Sequence, residues 1–185
     1  MLLYDTKYLQ LKSTKSKTGS DWVYAHRPNT TGVVVILPII EHSKVLFLIE
    51  ERPPLVAENV AQYSVALPAG LVGDERNGET KEDAVKAELL EEGGLKADRV
   101  EILADNVASS AGCLSESFTI AAAYVDKYET AQEPVSDGGV IVDRVLVDID
   151  NIDLWLKSKA EEGMALTSHT LASMYYLKTL LEKEK

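Results

Sequence analysis

The chain has 185 residues, one cysteine and a formal net charge of −11. That length accommodates one domain, or one domain with an arm, around a sizeable core. The negative balance excludes non-specific binding to a nucleic-acid backbone or to anionic lipid, so any phosphate site must be built locally from metal or arginine. With Cys113 alone, an internal disulfide is excluded and a reducing compartment is favoured. Met1–Asp5 lacks a signal-peptide pattern and no apolar run is long enough to span a membrane, so a cytoplasmic protein is expected.

In chain order, Tyr8–Leu11 and Asp21–Ala25 alternate as half-buried strands do, with a polar turn over 14–20 between them. Residues 1–30 are therefore expected to form an antiparallel β arm packed on the main body or on a second subunit. Gly32–Ile40 is a continuous β-branched run, the mark of a strand buried on both faces. Lys44–Glu50 follows after a short turn, and Arg52-Pro53-Pro54 breaks it. Gln62–Leu67 returns as a strand ending at Pro68. Further strands are expected over 100–107, 118–125 and 140–149, and an acidic Pro/Gly-containing loop over 128–139. Asp150-Asn151 can cap a helix through Leu154, Trp155 and Leu156. A last helix starts near Thr167-Ser168, with Leu171, Met174, Leu177 and Leu181 on an amphipathic face.

The stretch 78–95 carries the most information. Thr80 is a good N-cap, Asp83 completes a near capping box, and Gly93-Gly94 supply a left-handed stop. Ala84, Val85, Leu89 and Leu90 can face a core. Glu88, Glu91 and Glu92 gather on one side, at the negative end of the helix dipole and within mutual repulsion. A hard cation held by carboxylate oxygens is the natural compensation, and Mg²⁺ binds through a few carboxylates plus substrate phosphates. A solvated acidic helix end is the bland alternative for a lone Glu-Glu pair. His26, His42 and His169 are scattered and show no metal-ligand spacing.

The whole pattern resembles the Nudix hydrolase signature: Gly, five residues, Glu, seven residues, then Arg-Glu-apolar-x-Glu-Glu-x-Gly-apolar. Gly73, Glu79, Glu88, Leu89, Glu91, Glu92, Gly94 and Leu95 fall at its positions, while Ala87 replaces the arginine. The Gly73 match reads as coincidental, since Leu67-Pro68-Ala69-Gly70-Leu71 looks like the family's own Pro-Ala-Gly-Leu, with residues inserted before Glu79. The resemblance implies an α/β/α sandwich with a mixed β-sheet (α/β class), carrying the arm at 1–30 and the Nudix domain at 31–185.

Within the family the chain is most similar to the ADP-ribose and ADP-sugar pyrophosphatases. Glu51-Arg52-Pro53-Pro54 resembles that group's Arg-Pro-Pro, which implies a phosphate-contacting role for Arg52. Ser110-Ala111-Gly112, then Leu114-Ser115-Glu116, resembles its Ser-Pro-Gly…Ser-Asp-Glu loop, with Ala111 in place of proline. Trp22 and Tyr8 sit where the group places aromatics that sandwich adenine across a homodimer, and Gly70 is expected to border the substrate.

The implied reaction is hydrolysis of a nucleoside diphosphate sugar, foremost ADP-ribose to AMP and ribose 5-phosphate, with Mg²⁺ or Mn²⁺. Glu88 and Glu92 are the expected direct ligands, with Glu91 through water and the Ala69 carbonyl completing the set. Glu79 either supports this shell or caps the helix start. The group often carries its general base at the position of Gly139 here, so Glu116, Asp137, Glu133 or the metals themselves must serve. Two alternatives accompany this reading: a degenerate domain that binds a nucleotide sugar as a sensor, and a pyrophosphatase for a different nucleoside diphosphate sugar.

Overall fold

A computed structural model describes residues 1–73, 78–134 and 140–183. The amino-terminal arm is a three-stranded antiparallel sheet of β1 (Leu2–Asp5), β2 (Gln10–Lys15) and β3 (Asp21–His26). Strand β1 was not expected from alternation, and neither were the short elements at 53–57, 69–72 and 165–166. The Leu-Leu-Tyr-Asp run of β1 is exposed throughout, so no period-two burial marks it.

The main sheet contains β4 (Gly32–Ile40), β5 (Lys44–Glu51), β6 (Ser64–Ala66), β7 (Ala69–Val72), β8 (Arg99–Ala108), β9 (Ser117–Val125), β10 (Val140–Asp148) and β11 (Ala165–Leu166). Its order is β11-β6-β5-β4-β9-β8, with β10 pairing β5 and β7 pairing β4. The sheet is mixed: β4 runs parallel to β9 and β11 parallel to β6, while the other pairs are antiparallel.

Helices α1 (Pro53–Ala57), α2 (Lys81–Gly93), α3 (Ile152–Glu161) and α4 (Ser168–Lys183) complete the fold. Pro53 and Pro54 end β5 and also open α1, because a first helical turn has no use for their missing N–H.

Alternation in β4 builds two cores. Val35, Leu37 and Ile39 join Phe47, Ile120, Ile152, Leu156, Met174 and Leu177 under α3 and α4. Val34, Ile36 and Ile40 join Ala84, Val85, Leu89 and Leu95 under α2. Each fully buried aliphatic or Phe side chain contributes about 1.5–3 kcal/mol, so β4 holds both layers together. In α4 the buried face is Thr170, Ser173, Met174 and Leu177. Leu171, expected on that face, is 48% exposed. Among the described residues no helix is long and apolar enough to cross a membrane.

Candidate active site

Helix α2 is fixed at both ends. Thr80 Oγ1 accepts the Asp83 amide at 3.1 Å and Asp83 Oδ2 accepts the Thr80 amide at 3.3 Å, a full capping box. At the other end Gly94 has φ 68° and its amide donates to Leu90 O at 3.0 Å. A Cβ there would lie 2.8 Å from the Gln132 carbonyl, so glycine is required for both conformation and space. Burial of Ala84, Val85 and Leu89 against the sheet then sets the azimuth of the helix. It turns Glu88, Glu91 and Glu92 toward the start of β7.

The last turn of α2 holds no basic residue. The chain answers part of that negative end itself: Arg144, on β10, donates its Nε to the main-chain carbonyl of Glu92. Gln132 Nε2 donates to Leu90 O at 3.1 Å.

The Ala69 amide donates to Glu92 Oε2 at 3.0 Å. Burial pushes the Glu92 carboxyl up to about 7; the Ala69 amide opposes that shift, Glu50 adds to it, and Arg52 and Arg144 pull against it. Glu50 is 3% exposed and is bound by two bonds from Arg52, Nε to Oε2 at 2.7 Å and Nη2 to Oε1 at 2.9 Å. Glu88 lies against Gly70: a Cβ on that glycine would fall 1.8 Å from Glu88 Oε1.

These groups share a cavity of about 400 Å³. Its lining combines Ala69, Gly70, Glu88, Glu91 and Glu92 with Arg27, Arg52, Ser109, Glu116 and His169. Arg27 Nε meets Glu116 Oε2 at 2.9 Å. His169 is held down to about 4 by burial first and by Arg52 second, so its imidazole is neutral at pH 7. Among the described residues no three carboxylate, imidazole or thiol groups are drawn together tightly enough to enclose an ion. The lining holds, among the described residues, four carboxylates and two arginines, and each arginine is already paired with a carboxylate, Arg27 with Glu116 and Arg52 with Glu50.

Of the residues singled out in the sequence, Glu88, Glu91, Glu92, Ala69, Gly70, Arg52 and Glu116 line this cavity. Trp22 and Tyr8 do not. Trp22 is 48% exposed and donates its Nε1 to Gly112 O at 2.9 Å; Tyr8 is 70% exposed with Lys7 Nζ 5.1 Å from its ring centre. Glu79 lies outside the cavity too, accepting the Gly73 amide at 2.9 Å. The run 136–139, with Asp137 and Gly139, lies outside the described residues, and Glu133 is exposed.

Arg27, Ser109 and His169 were not expected at the site, and His169 had been set aside as one of three scattered histidines. Arg27 arrives because β3 docks on the loop after β8. The Ala25 amide donates to Cys113 O at 2.8 Å, the Ser115 amide to Ala25 O at 3.1 Å, and His26 Nδ1 lies 2.9 Å from Ser115 Oγ. The Thr167-Ser168 start signal does place His169 in a first helical turn, but only the topology brings that turn to the site.

A mixed sheet between α2 on one face and α3 and α4 on the other, with a capped helix delivering glutamates to the start of a short strand, defines a Nudix-type sandwich. The solved structures agree. A structure titled as the crystal structure of an ADP compounds hydrolase aligns with 100% of this chain and 92% of its own, with a TM-score of 0.70 at 17% identity. A NUDIX hydrolase from Nitrosomonas europaea aligns with 80% of this chain and 90% of its own, with a TM-score of 0.55 at 20% identity. No protein-family model and no curated protein matches the sequence. The chain has the Nudix hydrolase fold.

Proposed function

We propose that this protein hydrolyses the diphosphate bond of a nucleoside diphosphate sugar, with ADP-ribose giving AMP and ribose 5-phosphate as the leading case. The observation that supports it is that Glu88, Glu91 and Glu92 line one cavity together with Arg27 and Arg52. In so acidic a lining, a diphosphate needs the arginines and a cation held by the carboxylates.

The donor set suits Mg²⁺ or Mn²⁺, since it offers carboxylate and carbonyl oxygens and no thiolate. Burial holds the Glu92 carboxyl up to about 7, and a cation bound beside it would favour its charged form. Glu88 and Glu92 would hold the ion with the Ala69 carbonyl, and Glu91 would bind through water. When bound, the ion neutralises the diphosphate and acidifies the attacking water.

The chain's own residues orient the substrate. Glu50 fixes the Arg52 guanidinium through Nε and Nη2, which leaves Nη1 and the second Nη2 proton to meet a phosphate already oriented. Glu116 does the same for Arg27. Glu116, ion-paired to Arg27 as it stands, can take the water's proton once a phosphate draws Arg27 away. That pairing is also what favours the sensor reading, in which the site binds a nucleotide sugar without turnover.

The arm at residues 1–30 is read as a dimerisation element of the Nudix domain at 31–185. Leu2, Leu3, Tyr4, Trp22 and Val23 are 44–66% exposed and give a second copy an apolar surface to cover. Such a dimer would carry Trp22 and Tyr8 toward the adenine of the opposite site. An exposed, free Cys113 suits a reducing cytoplasm.

Product chromatography after incubation with Mg²⁺ and a panel of nucleoside diphosphate sugars tests the proposal. AMP from ADP-ribose is expected. Tight binding across the panel without product would establish the sensor reading instead.

A further inference from the structure

The hydrolysis proposed above uses the carboxylates and the arginines, and leaves two polar side chains of the same cavity without a role. Ser109 follows the last residue of β8. Its amide donates to Glu116 O at 3.2 Å, but its hydroxyl is shielded from solvent and has no hydrogen-bond partner among the described residues. A buried polar atom left unpaired is unfavourable, and a ligand that pairs it recovers that cost.

His169 stands in the first turn of α4. Its ring packs edge-on against Phe118 with centroids 6.1 Å apart, and its Nε2 lies 3.1 Å from Thr167 Oγ1. Thr167 Oγ1 is itself 2.7 Å from Thr170 Oγ1, in a fully buried residue, so the threonines fix the ring. Nδ1 remains as the ring's other polar atom.

A neutral imidazole beside two arginines adds little to phosphate binding. A neutral imidazole and a serine hydroxyl can, however, both donate and accept, as a sugar hydroxyl does.

We propose that Ser109 and His169 form a subsite that reads the hydroxyls of the group esterified to the far phosphate, so that the enzyme selects sugar-bearing diphosphates over those carrying an apolar ester. This rests on the diphosphatase reading.

The test compares ADP-ribose with the β-methyl ester of ADP, which keeps the diphosphate diester and lacks the sugar. The readout is the ratio of their kcat/KM values in the wild type, Ser109→Ala, His169→Ala and His169→Gln. The wild type is expected to favour ADP-ribose. Each alanine variant should lower the ratio roughly tenfold, and His169→Gln should lower it less because it keeps a donor and an acceptor. Thermal melting identifies any variant that fails to fold; for such a position, the ratio in Ser109→Gly or His169→Asn decides. Ratios within about twofold of wild type, or rates that fall equally on both esters, would overturn the subsite while leaving the diphosphatase reading intact. A wild type that turns over neither ester overturns that reading, and this inference with it.

Discussion

The main-chain amide of Ala69 donates to the Glu92 carboxylate at 3.0 Å, joining the start of β7 to the last turn of α2 across 23 residues of sequence. This bond holds one carboxylate oxygen in a defined place while burial raises its pKa. The backbone therefore positions Glu92 in the acidic wall of the cavity.

Gly70 tests how closely that wall is built. With a methyl group due to fall 1.8 Å from Glu88 Oε1, Gly70→Ala must push the Glu88 side chain into another rotamer. The displaced atoms belong to a side chain, so folding should survive with a loss of about 1 kcal/mol. Metal affinity and kcat should fall at least tenfold. Mg²⁺ titration calorimetry beside a thermal melt checks both, and unchanged metal affinity would remove Glu88 from the ligand set.

Two titrations should oppose each other in metal-free protein. Glu92 is held up to about 7 against 4.5, so between those values the folded chain keeps a proton that the unfolded chain has lost. Its contribution to stability falls as pH rises through that window. His169 is held down to about 4 against 6.5, so there the unfolded chain takes up a proton and the folded one does not. Its contribution falls as pH drops through that window. Relative to wild type, the Tm of Glu92→Gln should therefore climb with pH from 4.5 to 6.5, and that of His169→Asn should decline. Each slope is at most about 1.4 kcal/mol per pH unit. Melts in chelator across this range check the signs, and variant curves parallel to wild type would contradict the burial of both groups.

Arg144 should matter for stability more than a surface arginine does. It supplies positive charge at the end of a helix whose last turn has none of its own, through the Glu92 carbonyl. Arg144→Met should cost about 1–2 kcal/mol. Denaturant unfolding measures this, and a change under about 0.5 kcal/mol (the scatter of a neutral surface substitution) would mean that the helix end is satisfied without it.

The arm makes a separable prediction. If a second copy covers its apolar surface, sedimentation at micromolar concentration should give a dimer. Trp22→Ala should then raise KM for adenine nucleotides roughly tenfold, since stacking contributes about 1–3 kcal/mol per base. A monomer whose KM is unmoved by Trp22→Ala would confine Trp22 to its bond with Gly112.

Local signals made α2 legible before any coordinates: a cap, a glycine stop and an apolar face specify where three glutamates must point. Strand β4 was equally plain, because burial on both faces leaves an unbroken β-branched run. What stayed hidden depends on chain topology. Arg27 reaches the cavity only because β3 hydrogen-bonds to the loop at 113–115, and His169 only because α4 begins beside β9's Phe118. Arg144 lies 52 residues from the carbonyl it caps. The exposure of Leu171 has a similar origin. The sheet meets α4 along small and polar Thr170 and Ser173, which hydropathy alone would place outside.

The most direct test of the account is AMP release from ADP-ribose by wild type and Glu92→Gln, each assayed with Mg²⁺ and with chelator. Glutamine keeps an oxygen for the Ala69 amide and loses the charge. The account predicts Mg²⁺-dependent AMP from wild type and a fall of at least about 100-fold in the variant, with a cooperative melt showing that the variant is still folded. Equal rates for the two proteins, or a wild-type rate untouched by chelator, would contradict it.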